Sequence, residues 1–172
     1  MHALKPFACG LLIALHGGLY AAPPREAKPI DVGQVLPDVR MAGLNGRSRS
    51  LASYVGRPLI INVWASWCGP CRAEAASLER LTWSDAGRGF TVIGISTDDD
   101  PDAAKKWLTA SNATLSHFID AGLVLENLLG ASRIPLTVLV DAKGRVVTKV
   151  QGAREWDSAA SIQLIKQAFH QP

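Results

Sequence analysis

An apolar strand that runs straight into two closely spaced cysteines constrains this chain more than any other feature. Leu59-Ile60-Ile61-Asn62-Val63-Trp64 has the composition of a strand buried on both faces of a sheet. Trp67-Cys68-Gly69-Pro70-Cys71 follows at once, and then Arg72-Ala73-Glu74-Ala75-Ala76-Ser77-Leu78-Glu79-Arg80-Leu81, a run rich in good helix formers. The order strand, CxxC, helix puts a dithiol at a helix N-terminus. Two cysteines separated by two residues can close a small disulfide, and a helix N-terminus favours the thiolate of the first. That chemistry is thiol–disulfide exchange.

The remaining pattern supplies a sheet and its cover. Asp38 to Leu44 and Arg47 to Ala52 flank Asn45-Gly46 and predict a β-hairpin. Phe90 to Ser96 predicts a second buried strand. Asp100-Pro101 reads as an N-cap with proline at the first helical position, opening a helix to about Ser111. A short helix is expected over Leu123–Leu129, two strands at Leu136–Val140 and Arg145–Val150 joined by Asp141-Ala142-Lys143-Gly144, and a last helix from Trp156 to Phe169. Strands alternating with helices, then a hairpin and a helix, predict an α/β domain with a central mixed sheet flanked by helices and an N-terminal β-hairpin extension. The first helix is expected to end near Gly87 and Gly89.

The chain of 172 residues suits one such domain, over 34–172, preceded by a separate leader. Lys5, the apolar stretch Phe7–Leu15 and the small residues before Pro23-Pro24 read as a secretory signal peptide over 1–22, too short for a comfortable membrane span. Left uncleaved, it would act as a membrane anchor. Residues 23–33, with Pro23, Pro24 and Pro29, read as a linker. Loss of the leader removes Cys9 and leaves Cys68 and Cys71 as the cysteines of the mature chain. In an exported protein such a lone pair serves chemistry rather than stapling. The mature charge of about +2, from 17 Lys and Arg against 15 acids, does not mark a nucleic-acid binder.

Asn62-Val63-Trp64-Ala65-Ser66-Trp67-Cys68-Gly69-Pro70-Cys71-Arg72-Ala73-Glu74, together with Arg133-Ile134-Pro135-Leu136-Thr137 before a later strand, resembles the thioredoxin fold. More narrowly it is similar to the TlpA/ResA/CcmG group of exported thiol–disulfide oxidoreductases, over roughly residues 34–170. The resemblance implies that Cys68 attacks, that Cys71 resolves the mixed disulfide, and that Pro135 is cis and faces the dithiol. Ile134 and Pro135 would then offer backbone and side-chain contacts to a client, and Trp67, Gly69 and Pro70 would form the rest of the docking face. It also implies a periplasmic reductant whose clients are exported proteins, such as apocytochrome c or copper-site proteins of oxidases. A membrane thiol-relay protein would supply electrons, with no cofactor beyond the Cys68/Cys71 disulfide and a monomeric chain. Two departures bear on partner choice: Ala75-Ala76 stands where Met-Pro is common in the group, and Leu136 where threonine is common.

Glu74 falls on the same helical face as Cys71, Leu78 and Leu81, a face that should meet the sheet. A carboxylate there must be protonated, hydrogen-bonded or paired, and no Lys or Arg lies three or four residues away. The group carries an active-site glutamate at this place, which makes Glu74 the expected proton exchanger for Cys71, the more so because Asn62 cannot titrate. The alternative is a Glu74 that reaches solvent at the rim. Rival functions also stay open: Cu(I) held between the two thiolates, or an oxidant or isomerase on the same fold. Zinc is disfavoured by the ligand count, with only His117 and His170 to add. A peroxidase is excluded because Ala65 stands where Thr or Ser would precede the reactive cysteine. Asp98-Asp99-Asp100 with Asp102 reads as a helix-capping run rather than a metal site, and His117 as a packed or rim residue.

Overall fold

The computed structural model describes residues 28–170, so the expected signal peptide lies outside the described residues. The strands are β1 (Arg40–Gly43), β2 (Arg49–Ser50), β3 (Leu59–Trp64), β4 (Thr91–Ser96), β5 (Ser116–Ile119), β6 (Leu136–Val140) and β7 (Val146–Gln151). The helices are α1 (Gly69–Trp83), α2 (Pro101–Ala110), α3 (Val124–Leu129) and α4 (Ala159–Phe169). All seven strands form one sheet in the order β2-β1-β5-β4-β3-β6-β7. β3, β4 and β5 run parallel, while β6, β7 and the β1–β2 hairpin pair antiparallel, so the sheet is mixed as expected.

β3 is buried at every residue and lies between β4 and β6. Its alternation divides the core. Ile61 and Val63 join Ile93, Ile95, Phe118 and Leu129 on the face that α3 covers. Ile60 points the other way, among Leu78 and Leu81 of α1 and Ile165 of α4. Trp64, on the same side as Ile60, packs with both cysteines and with Ala104 and Leu108 of α2.

Several expectations shift. β5 was not foreseen: four residues with little periodicity become a strand because β4 pairs them on one side and β1 on the other. Through β5 the expected hairpin extension becomes the edge of the main sheet. Its strands are shorter than predicted, and Leu51–Tyr54 forms a 3-10 turn instead. Asn45 is spent on sewing rather than turning: its amide donates to Leu115 O at 2.7 Å and accepts from His117 N at 2.8 Å. Gly43 is required there, since a Cβ would stand 2.2 Å from Gly46 O. α1 stops at Trp83, followed by a separate 3-10 turn over Asp85–Gly89, and α4 begins at Ala159 behind the Ser158 cap. In the stretch expected as a linker, Ile30 is buried and its N–H donates to Leu128 O at 2.8 Å, so this end packs on the domain.

Gly94 in β4 leaves room for two rings. A Cβ there would lie 2.2 Å from His117 Nδ1 and 2.9 Å from Trp64 Nε1. Gly94→Ala should therefore cost about 1–3 kcal/mol by overpacking, read as a lower urea midpoint. His117 is buried, which pushes its pKa from 6.5 down to about 4. The native protein then binds this proton only near pH 4, whereas the unfolded chain binds it near 6.5. The stability His117 preserves is complete above pH 6.5 and is lost as pH falls toward 4; His117→Gln should flatten the difference in unfolding free energy across that window.

Candidate active site

The end of β3 and the start of α1 build the site. Cys68 is the N-cap of α1, with extended backbone, and its Sγ accepts from Cys71 N at 3.2 Å. The two cysteines form a disulfide with Cα atoms 5.3 Å apart. Both are buried, yet Gly69 and Pro70 between them are exposed, and the Trp67 ring beside them is 71% exposed. Trp64, by contrast, is core, its ring tilted against Trp107 with centroids 4.8 Å apart and edge-on to His117 at 5.3 Å.

The Ile134–Pro135 peptide bond is cis. Ile134 packs against the cluster that contains both cysteines. Pro135 O is held by Gly152 N at 2.9 Å and by Gln151 Nε2 at 3.1 Å.

Glu74 sits one turn beyond Cys71 and is only 2% exposed, so it does not reach solvent at the rim. Oε1 accepts from Asn62 Nδ2 at 2.8 Å. Oε2 accepts from Arg154 N at 3.0 Å and Trp156 Nε1 at 3.1 Å. Burial pushes the carboxyl pKa up, and these three donors pull it back without cancelling the rise. The carboxyl therefore keeps its proton to higher pH than a free glutamate does. Trp156 and Arg154 were not legible as partners, since they lie some eighty residues downstream in a stretch read as helix and turn.

The acidic run divides into two roles. Asp100 caps α2 as expected, accepting from Asp102 N at 2.9 Å. Asp98 does something else: it is buried, and accepts from Ser66 N at 2.9 Å, Ser66 Oγ at 2.6 Å and Ser96 Oγ at 2.6 Å. It ties the segment before Cys68 to the end of β4. The capping reading needs that correction, because an N-cap is judged by local sequence and this contact spans the sheet.

Between α1 and α2 lies a cavity of about 110 Å³ lined by Cys71, Asn62, Trp64, Trp107 and His117. Among the described residues no group of three or more His, Cys, Asp or Glu side chains converges to hold a metal, and no helix is long and apolar enough to cross a membrane.

The Redoxin family profile matches residues 31–163. The chain belongs to the Redoxin family. This redoxin is 35% identical to the thiol:disulfide interchange protein DsbE of Pseudomonas fluorescens biotype C, across 86% of this chain and 82% of that protein. It is 28% identical to the thiol-disulfide oxidoreductase ResA of Geobacillus thermodenitrificans, across 83% and 82%. Its fold is similar to the crystal structure of a Chlorobium tepidum protein assigned as a DsbE thiol:disulfide interchange protein, with a TM-score of 0.74, 28% identity, and coverage of 81% and 98%. This redoxin is a thiol–disulfide oxidoreductase of the DsbE/ResA type, with its cysteine pair at disulfide distance.

Replacing Asp98 by Ala should leave the half-buried Ser66 donors and the buried Ser96 hydroxyl unpaired, costing about 1–3 kcal/mol. Differential scanning calorimetry would read the loss as a lower Tm, whereas Asp99→Ala on the exposed side should leave Tm in place.

Proposed function

We propose that this redoxin reduces disulfides in exported proteins, and the observation that carries the reading is Glu74 buried one turn behind a helix-capping CxxC. Cys68 is the attacking group. As a thiolate it breaks the client's S–S bond and forms a mixed disulfide, and the first client sulfur leaves to take a proton. Cys71 then loses its proton to Glu74, attacks Cys68 Sγ and expels the second client sulfur. Two electrons pass to the client and the Cys68–Cys71 bond is left behind. The α1 N-terminus, with its unpaired N–H groups and macrodipole, stabilises the Cys68 thiolate.

The exposed Trp67, Gly69 and Pro70 give a client its approach. Ile134, packed against the same cluster, and Pro135 next to it offer backbone for an extended client segment to pair with. Pro135 has no N–H of its own to bury. The Gly69-Pro70 pair supports the reductive direction, since thioredoxin with this dipeptide lies near about −270 mV and the oxidant DsbA near about −120 mV.

The leader expected over 1–22 supports export to the periplasm. The kinship with DsbE and ResA supports clients such as apocytochrome c haem-attachment cysteines or oxidase copper-site proteins, a membrane thiol relay as electron donor, and a monomer that works without a bound cofactor. The deciding experiment is the equilibrium reduction potential of Cys68/Cys71 in glutathione and dithiothreitol buffers. A value at or below about −250 mV is expected. One between about −120 and −180 mV would make the protein an oxidant or isomerase, and stoichiometric copper retained through purification would replace the reading with a metallochaperone. Glu74→Gln should slow exchange at neutral pH with the fold intact; identical rates for the two proteins from about pH 5 to 9 would remove Glu74 from the scheme.

A further inference from the structure

Asn62 carries the polar side chain in the middle of β3, whose sequence is Leu-Ile-Ile-Asn-Val-Trp. It is buried, and a polar group in such a place is costly unless its hydrogen bonds are made. Nδ2 donates to Glu74 Oε1 at 2.8 Å and to Thr137 Oγ1 at 3.0 Å, so both amide hydrogens are spent. Thr137 is the residue opposite Asn62 on β6, two positions beyond the cis Pro135. One amide thus joins the carboxyl behind the dithiol to the strand that follows the proline.

The groups around Glu74 come from four directions. β3 presents Asn62, β6 presents Thr137 behind it, the segment after β7 presents Arg154 N and the Trp156 indole, and Cys71 stands one turn back on α1. Arg154 contributes its backbone N–H, and Cys71 is held in the disulfide, so none of these groups titrates beside Glu74 in the oxidised protein.

All three hydrogen bonds to Glu74 come from donors, an arrangement made for the ionised carboxylate. The neutral carboxyl must instead turn one O–H toward an acceptor. Arg154 N–H and the Trp156 indole can only donate. Asn62 can do either, by turning its amide so that Oδ1 faces Glu74, and the Thr137 hydroxyl can then rotate to donate to the same oxygen. The Asn62–Thr137 pair therefore serves both protonation states of a buried acid: a proton on Oε1 can point at Asn62 Oδ1 while Oε2 keeps its two donors.

We propose that Asn62, braced by Thr137, is a positioning residue that lets Glu74 gain and lose a proton without leaving the core. The inference rests on the reading of Glu74 as the proton exchanger for Cys71. A hydrogen bond to a charged group is worth more than one to a neutral group, so removing the amide penalises the carboxylate more than the acid.

The test is a carboxyl-carbon NMR titration of Glu74 in the oxidised full domain, paired with the pH profile of disulfide exchange. Asn62→Ala should raise the Glu74 midpoint by about one pH unit and move the exchange profile the same way. Thr137→Val, which keeps the shape of the side chain, should move both in that direction by less, and it carries the test if Asn62→Ala does not fold. In the Glu74→Gln background Asn62→Ala should change the profile no further. A Glu74 midpoint that stays in place in both variants overturns the proposal, as does an Asn62→Ala effect of equal size with Gln at 74. If Glu74→Gln alone leaves the exchange profile unchanged, the role of Glu74 itself falls. That failure is separate from the first, because the NMR midpoint still reports whether Asn62 governs the carboxyl.

Discussion

The junction of β3 and α1 is the constraint on which the rest of the molecule depends. A strand buried at all six residues must stop, turn within four, and start a helix whose first N–H groups point at sulfur. The parallel partner β4 lies on one side of β3 and the antiparallel β6 on the other, so the strand cannot shift without moving either. Register along β3 places Ile61 and Val63 on one face and Ile60, Asn62 and Trp64 on the other; a one-residue slip would exchange the two faces. The same register that builds the core therefore aims Asn62 at Glu74 and Trp64 at the cysteine cluster.

A second feature is how the fold treats charge near the dithiol. Glu74 and Asp98 are both buried carboxyls, and among the described residues neither is neutralised by an ion pair. Each is met by donors instead: an amide, an indole and a backbone N–H for Glu74, and two serines for Asp98. The two differ in consequence. Asp98 is a tether, holding the segment before Cys68 to the end of β4. Glu74 is pushed by burial toward protonation and pulled by its donors toward ionisation, with burial the larger effect.

On the α2 side of the same cysteines the chemistry is quiet. Trp64, Trp107 and His117 wall a cavity beside Cys71, and Gly94 supplies the space in which the His117 and Trp64 rings meet. Burial keeps His117 neutral above about pH 4. The dithiol thus has an apolar, aromatic flank toward α2 and a hydrogen-bonded acid toward α4, with Trp67 alone of the nearby tryptophans turned out to solvent.

The strand-and-helix order, the CxxC at a helix start and the burial of Glu74 could be read from the chain alone, because each rests on local composition or on the 3.6-residue spacing of one helix; the cis proline was expected from the resemblance to the thioredoxin fold. Thr137 opposite Asn62, Trp156 and Arg154 over Glu74, and Ser66 under Asp98 could not, since no local pattern encodes a hydrogen bond across 32 to 82 residues. The strand β5 was hidden for a related reason: four residues acquire strand geometry from the neighbours on either side, not from their own propensities. The sequence by itself determined which residues could do the chemistry and roughly where they lie along the chain. Only the tertiary structure decided their working state, because the protonation of a buried acid depends on which distant donors the packed sheet brings to it.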